Sequence, residues 1–233
     1  MRALVIDTET TGLDPKDSDI IEVGAALFDT TSRQVLWAYG SLVFTETKNA
    51  AEFVNGIEQP LIEAARDLPD ARNVVASLVE SVKIDILMAH NADFDRKFIE
   101  QKWGVMVKPG TKDRIPWVCT QKDIVYPNAK NSQNLSHLAV DHGIPIGILH
   151  RALNDVLLTI ELLKKAPDLE HQIQIALGPR KIFEALVPYQ QRNEAKSRGF
   201  NWNAGDKRWE KKMPADTPLE PTPERPFRIK IVG

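Results

Sequence analysis

Ala3-Leu4-Val5-Ile6 runs directly into Asp7-Thr8-Glu9-Thr10-Thr11-Gly12. The apolar run predicts a short buried strand over residues 3–7, and the polar Thr/Gly stretch predicts the turn that ends it. Carboxylates are poor choices for such a place, because an unpaired buried acid is costly to desolvate. Along a strand the side-chain period is two, so Asp7 and Glu9 point to the same face. Two anions converging beside a core strand call for a divalent cation.

Working outward, Ile20–Phe28 and Gln34–Phe44 read as two more strands, joined by a turn at Asp29-Thr30-Thr31-Ser32. Val74, Val75, Leu78, Val79 and Val82 recur at spacings of three and four, which predicts a helix over 70–83. A short strand at Ile86–Ala89, a helix over 93–103, a strand at Trp117–Cys119 and helices over 133–142 and 151–165 follow. Strands first, then strands alternating with helices, predict an α/β fold with a mixed β-sheet flanked by helices.

Past Pro167 the character changes. Residues 180–198 read as a helix interrupted or restarted at Pro188. Two short strands are expected around a turn at Ala204-Gly205-Asp206, with aromatics at Phe200, Trp202 and Trp209. Five prolines between 214 and 226 predict an extended linker, and Phe227-Arg228-Ile229-Lys230-Ile231 alternates as a terminal edge strand would. The expected division is a domain over 1–177 and a small basic, aromatic C-terminal extension over 178–233.

Charge follows that division. The net charge of −2 over 233 residues conceals +5 in residues 178–233, which hold 12 Lys/Arg against 7 Asp/Glu, and −7 in the rest. An acidic body with a basic tail suggests metal-binding carboxylates in one part and a polyanion-contacting surface in the other, although a plain solvated tail has the same signature. Cys119 is the single cysteine, which rules out an intramolecular disulfide and argues against structural zinc. No stretch has the length of a membrane span, and a soluble, intracellular, cytoplasmic protein is expected.

Two further constellations stand at comparable places. His90-Asn91-Ala92-Asp93-Phe94-Asp95 lies where a strand gives way to a helix, and His150-Arg151-Ala152-Leu153-Asn154-Asp155 opens a strongly apolar helix. A five-residue separation leaves two side chains about 140° apart on an ideal helix. His150 and Asp155 therefore converge only if His150 lies in the preceding loop and Asp155 in the first turns. Gly143 to Gly147, with Pro145, supplies such a loop. A histidine so placed beside an acid suits a general base.

Asp7-Thr8-Glu9-Thr10-Thr11-Gly12, Asn91-Ala92-Asp93-Phe94-Asp95 and His150-Arg151-Ala152-Leu153-Asn154-Asp155 resemble the three motifs of the DnaQ-like, DEDDh-type 3′–5′ exonucleases. The resemblance covers roughly residues 1–165 and looks nearest to the exonuclease X branch. It implies an RNase H-like fold, two divalent ions (Mg²⁺, with Mn²⁺ as substitute), and removal of nucleotides from a 3′ end. It further implies Asp7, Glu9, Asp95 and Asp155 as metal ligands, His150 as the base that deprotonates the attacking water, and Glu9 helping to orient it. Hard oxygen ligands suit those cations better than zinc. Thr8, Thr10, Gly12, Leu13, Asn91 and Phe98 fall where the family holds its terminal nucleotide, Leu13 as an apolar wedge or else a core residue.

Duller readings accompany the remaining polar residues. Asp93 reads as a helix N-cap rather than a ligand, and His90 as a structural histidine at the strand end. Lys97 and Arg151 can touch phosphate or simply be solvated. In the tail, Arg198, Phe200, Trp202, Lys207 and Trp209 combine phosphate-binding cations with base-stacking rings, but they equally suit a hairpin packing its aromatics on the catalytic domain. The expected activity is a metal-dependent 3′–5′ exodeoxyribonuclease whose partner is DNA with a free 3′ end, single-stranded or frayed ends being preferred. An exoribonuclease, a polymerase-associated proofreading subunit that uses the extension for a protein partner, and a catalytically silent binding module are the rivals.

Overall fold

The opening run forms β1 (Arg2–Thr10), with Ala3 to Ile6 at most 1% exposed. The computed structural model describes residues 1–130, 132–223 and 225–232. Residues Met1–Ile173 form one compact unit and Gln174–Gly233 a second. The expected boundary after residue 177 lies four residues further on.

In the first unit β2 (Ile20–Asp29) pairs antiparallel with β1, and β3 (Gln34–Leu42) pairs antiparallel with β2. Three helices follow, α1 (Glu52–Asn55), α2 (Gln59–Ala64) and α3 (Ala71–Ser81). The chain then enters β4 (Ile86–Ala89), α4 (Ala92–Lys102) and β5 (Trp117–Cys119), with β4 parallel to β1 and β5 parallel to β4. The sheet order β3-β2-β1-β4-β5 puts β1 in the centre. Helices α5 (Leu135–Asp141), α6 (Ala152–Lys165) and α7 (Leu169–Leu177) complete the series. This is the expected mixed sheet flanked by helices.

Strand alternation decides what each face holds. Leu4 and Ile6 join Val75 and Val79 of α3 and Phe98 and Ile99 of α4 in one core. Ala3, Val5, Asp7 and Glu9 point the other way, toward α6, which lies on β1 and β2. The register pairs Asp7 with Gly24 and Glu9 with Glu22, so those β2 residues share the α6 face. A bulge between Glu9 and Thr10 ends the regular pairing.

In the second unit β6 (Arg180–Ala185), α8 (Arg192–Ser197), β7 (Asn201–Asn203), β8 (Arg208–Pro214) and β9 (Ile229–Val232) build an antiparallel sheet of order β7-β8-β6-β9. The expected helix over 180–198 is therefore corrected. Phe183 and Ala185 alternate into the core, so residues 180–185 form a strand paired on both sides, and helix starts only after Pro188, as a 3₁₀ turn over Tyr189–Gln191 that runs into α8. The proline-rich stretch is not an extended linker either. It joins two strands that flank β6, and the Arg225 guanidinium inside it donates to the carbonyls of Pro218, Glu220 and Phe227. The hairpin of β7 and β8 and the terminal edge strand β9 form as expected.

Candidate active site

Three chain segments end at one place. β1 delivers Asp7 and Glu9 to the face beneath α6. The turn out of β4 passes through Asn91 at φ 76°, a left-handed conformation that asparagine tolerates, and α4 begins immediately after it. This sharp entry places Asp95 in the first turn of α4, 2% exposed, where its Oδ1 accepts from the Thr8 amide at 3.0 Å and the Thr8 hydroxyl at 2.9 Å. Asp155 lies in the first turn of α6, 8% exposed, and its Oδ2 accepts from the His150 amide at 3.1 Å. Its other oxygen is buried with no hydrogen-bond partner among the described residues.

His150 stands in the loop before α6, exposed and at φ 59°. This is the geometry that the five-residue spacing demanded. Donor atoms of Glu9, His150 and Asp155 lie within 4.8 Å of one another. Burial first, and the neighbouring carboxylates second, push the acids out of their ordinary range. Glu9 rises to about 8, with Asp155, Glu22 and Asp95 adding to desolvation, and Asp7 is raised well above its ordinary value by burial, Asp95, Glu9 and Asp155. Asp95 rises to about 7 through burial, despite its bonds to Thr8, and burial also raises Asp155. An all-oxygen cluster with an orphaned carboxylate oxygen and strong mutual repulsion fits hard divalent cations.

Sequence reasoning missed Glu22. It is 6% exposed and accepts from Arg151 Nε at 3.0 Å, from Arg151 Nη2 at 2.7 Å and, through its other oxygen, from the Ala152 amide at 2.9 Å. One carboxylate thus holds the first turn of α6 between His150 and Asp155. The available signal was an acid within the otherwise apolar Ile20–Phe28 run, two positions before Gly24. That glycine is obligatory in its own way, since a Cβ there would stand 2.3 Å from the Ala152 carbonyl carbon.

The other expected positions divide. Leu13 is 87% exposed on the loop after β1, so the core reading fails and the wedge reading keeps an available side chain. Thr8 and Thr10 are buried, with hydroxyls committed to Asp95 and to the Gly12 carbonyl, which makes them organisers of the turn. Phe98, on the buried face of α4, is 0% exposed and packs against Phe94, so its ring serves the core. Asp93 is not the cap of α4. Asn91 occupies that position without a side-chain bond, and Asp93 pairs with Lys122 at 2.7 Å. His90 bonds Thr120 at 3.0 Å and the Gln133 carbonyl at 2.8 Å, a structural role. Lys97 is exposed, whereas Arg151 is engaged by Glu22 rather than simply solvated. In the second unit Phe200 is buried with Phe183 and Phe227, which corrects its reading as a base-stacking ring and shows that the unit has a core of its own. Arg198 pairs with Glu194.

A family model described as Exonuclease matches residues 4–163. The chain belongs to the exonuclease family. A second model, a domain of unknown function (DUF8626), matches residues 181–228. Relatives of this exonuclease include the DNA polymerase III subunit epsilon of Treponema pallidum, 27% identical over 67% of this chain and 72% of that protein. The 3′–5′ exonuclease DinG of Staphylococcus aureus is 31% identical over 68% of this chain but only 17% of its own length. Among solved structures, exonuclease I matches with TM-score 0.55 at 18% identity, over 78% of this chain and about half (48%) of that one. The nuclease domain of 3′hExo, a DEDDh family member, matches with TM-score 0.51 at 16% identity, over 70% and 92% of the two chains. The resemblance to exonucleases holds, the fold is the one these structures share, and the chain is an exonuclease. No described helix is long and apolar enough to cross a membrane.

Proposed function

We propose that the protein removes nucleoside monophosphates from the 3′ end of DNA, favouring single-stranded or frayed ends, as a soluble cytoplasmic enzyme. The observation that carries this is the convergence of Asp7, Glu9, Asp95 and Asp155 beside an exposed His150, with one Asp155 oxygen buried and unpartnered. The four carboxylates would hold two divalent cations, Mg²⁺ or Mn²⁺. When bound, such ions supply Lewis-acid stabilisation of charge on the attacking and leaving oxygens. His150 takes the proton of the attacking water at a ring nitrogen, and Glu9, within 4.8 Å of it, helps to orient that water. Thr8 keeps Asp95 aimed, and Leu13 is exposed where a terminal base would rest against it.

The DNA reading is supported by a relative named as a DNA polymerase III subunit and by exonuclease I solved with a dT13 oligonucleotide. An RNA-trimming reading has its own support, since the 3′hExo nuclease domain was solved with rAMP. The epsilon relative likewise keeps a proofreading role, with a protein partner, in view. A time course on 5′-labelled DNA and RNA, single- and double-stranded, tests polarity, sugar and strandedness together. Shortening ladders on single-stranded DNA with Mg²⁺, lost in EDTA, are expected. Faster loss of RNA than of DNA would overturn the sugar assignment, and release of the 5′ label as a mononucleotide would overturn the polarity.

A further inference from the structure

The second unit carries an exposed aromatic that its own core does not need. Trp202 lies on the three-residue edge strand β7 and is 52% exposed. Its cross-strand partner is Trp209, and the two rings stand 5.7 Å apart at 57°. Trp209 in turn packs against the core of Phe183, Ala195, Phe200 and Phe227. Cross-strand partners share a face, so Trp202 projects on the side of the sheet where α8 contributes Ala195. An exposed ring seated on an anchored ring is rigid before any ligand arrives, and rigidity lowers the entropic cost of binding.

The charges around it are not balanced. Glu184 is matched by Lys230, Glu194 by Arg198, Asp206 and Glu210 by Arg208, and Glu220 by Arg228. Five of the unit's seven acids are so engaged, while the exposed Lys181, Lys196, Lys207 and Lys212 make no ion pair among the described residues. Lys207 occupies the turn of the same hairpin as Trp202, held at φ 51°, and Lys196 lies on α8. A second exposed ring, Tyr189, has the Arg192 guanidinium 4.1 Å from its centroid. Rings with free faces beside unneutralised cations match the chemistry of a single strand, whose bases offer π-faces and whose phosphates offer charge. A protein partner would be better served by a contiguous apolar patch.

We infer that residues 174–233 form a second, sequence-tolerant binding site for single-stranded nucleic acid, in which Trp202 stacks on a base and Lys207 and Lys196 engage phosphates. This goes beyond the catalytic reading and does not depend on it.

The test uses the full chain in EDTA, a fluorescent dT oligonucleotide of about twenty residues, and a blunt duplex for comparison, with affinity measured across a salt series. Trp202→Ala should weaken single-strand binding at least fivefold, the lower end of base–aromatic stacking, and Trp202→Phe should restore most of it. Lys196→Gln with Lys207→Gln should reduce the slope of log K against log salt by about 1.4, at about 0.7 per phosphate contact. With Mg²⁺ in place of EDTA, hydrolysis of a thymidine monophosphate aryl ester, too short to reach a second site, should be unchanged in every variant. Unchanged affinity and slope would overturn the inference, as would equal affinity for the duplex, whose bases are not open to stacking. Loss of binding with the fold also lost in Trp202→Ala but kept in Trp202→Phe and the lysine variant shifts judgement to those two, and wild-type binding by both lysine substitutions would overturn the phosphate assignment.

Discussion

Gly24→Ala should damage catalysis far more than its single methyl suggests. The new Cβ would lie 2.3 Å from the Ala152 carbonyl carbon, 2.4 Å from its oxygen and 2.4 Å from the Leu153 nitrogen. Ordinary contact begins at about 3.4 Å, so β2 and the start of α6 must part by roughly 1 Å. Those atoms are backbone and no rotamer can relieve them. The displaced turn carries His150 two residues before Ala152 and Asp155 three after it, while Glu9 stays with β1. Overpacking of this kind costs about 1–3 kcal/mol of stability. A misplacement of about 1 Å in a reacting constellation costs about 10²-fold in rate. Gly40→Ala is the matched comparison, because its Cβ meets side-chain atoms of Leu153, the nearest at 2.8 Å, rather than backbone. Turnover with saturating Mg²⁺ on a 5′-labelled single strand, together with calorimetric Tm, reads both effects. A folded Gly24→Ala protein with turnover within twofold of wild type would refute the claim that close docking of α6 on β2 aligns the site.

Other expectations follow from the same geometry. Glu9 and Asp95 titrate near 8 and 7, so between the ordinary carboxylate range and about pH 8 the folded cation-free protein binds protons that the unfolded chain has released. Its stability should therefore fall as pH rises through that window, and Mg²⁺ should raise Tm more at pH 8 than at pH 5; a Tm indifferent to Mg²⁺ at pH 8 would contradict this. Asp7→Asn should abolish hydrolysis yet raise Tm in EDTA, since it removes one of the mutually repelling buried acids; a lower Tm would mean that Asp7 is stabilising as it stands. His150→Gln should lower turnover by about 10²–10⁴ with little change in KM, measured at fixed Mg²⁺. Glu22→Gln keeps the shape but loses the charged pairing with Arg151, and should cost about 1–2 kcal/mol in urea titration.

Much of the catalytic unit was legible because its signals are local. Asp7 and Glu9 sit at the end of an unmistakable apolar strand, and the His150–Asp155 spacing could be satisfied in only one way. The residues that hold the site were harder to read. Glu22 looks like one polar residue in a buried strand until β2 is known to lie under the start of α6. Gly24 is needed for a close approach between elements 128 positions apart, which no local pattern reports. Phe98 is the opposite case: it shares the buried face of α4 with Asp95, one turn further on, and its ring is taken up by the core. In the second unit helix propensity misled over 180–185, because pairing on both edges of β6 outweighs it once Phe183 and Ala185 find a core.

The placement of the four acids also shows which force dominates the cation-free site. Asp95 and Asp155 each lie in the first turn of a helix, where the unsatisfied amides and the helix dipole favour a negative charge. Asp95 further accepts two bonds from Thr8, and Asp155 one from His150. These contributions should lower their proton affinity, yet both are raised. Burial, joined at Asp155 by the Glu22 charge, therefore outweighs every donor that the protein supplies. A designer seeking stability alone would replace the acids, or add another amide for the orphaned Asp155 oxygen. The chain instead holds Asp155 in register with an additional buried carboxylate, Glu22, which raises the proton affinity of Glu9 still further. Rigid alignment of mutually repelling oxygens is useful only if positive charge arrives to complete it, so the cation site proposed above would be organised before its ions bind.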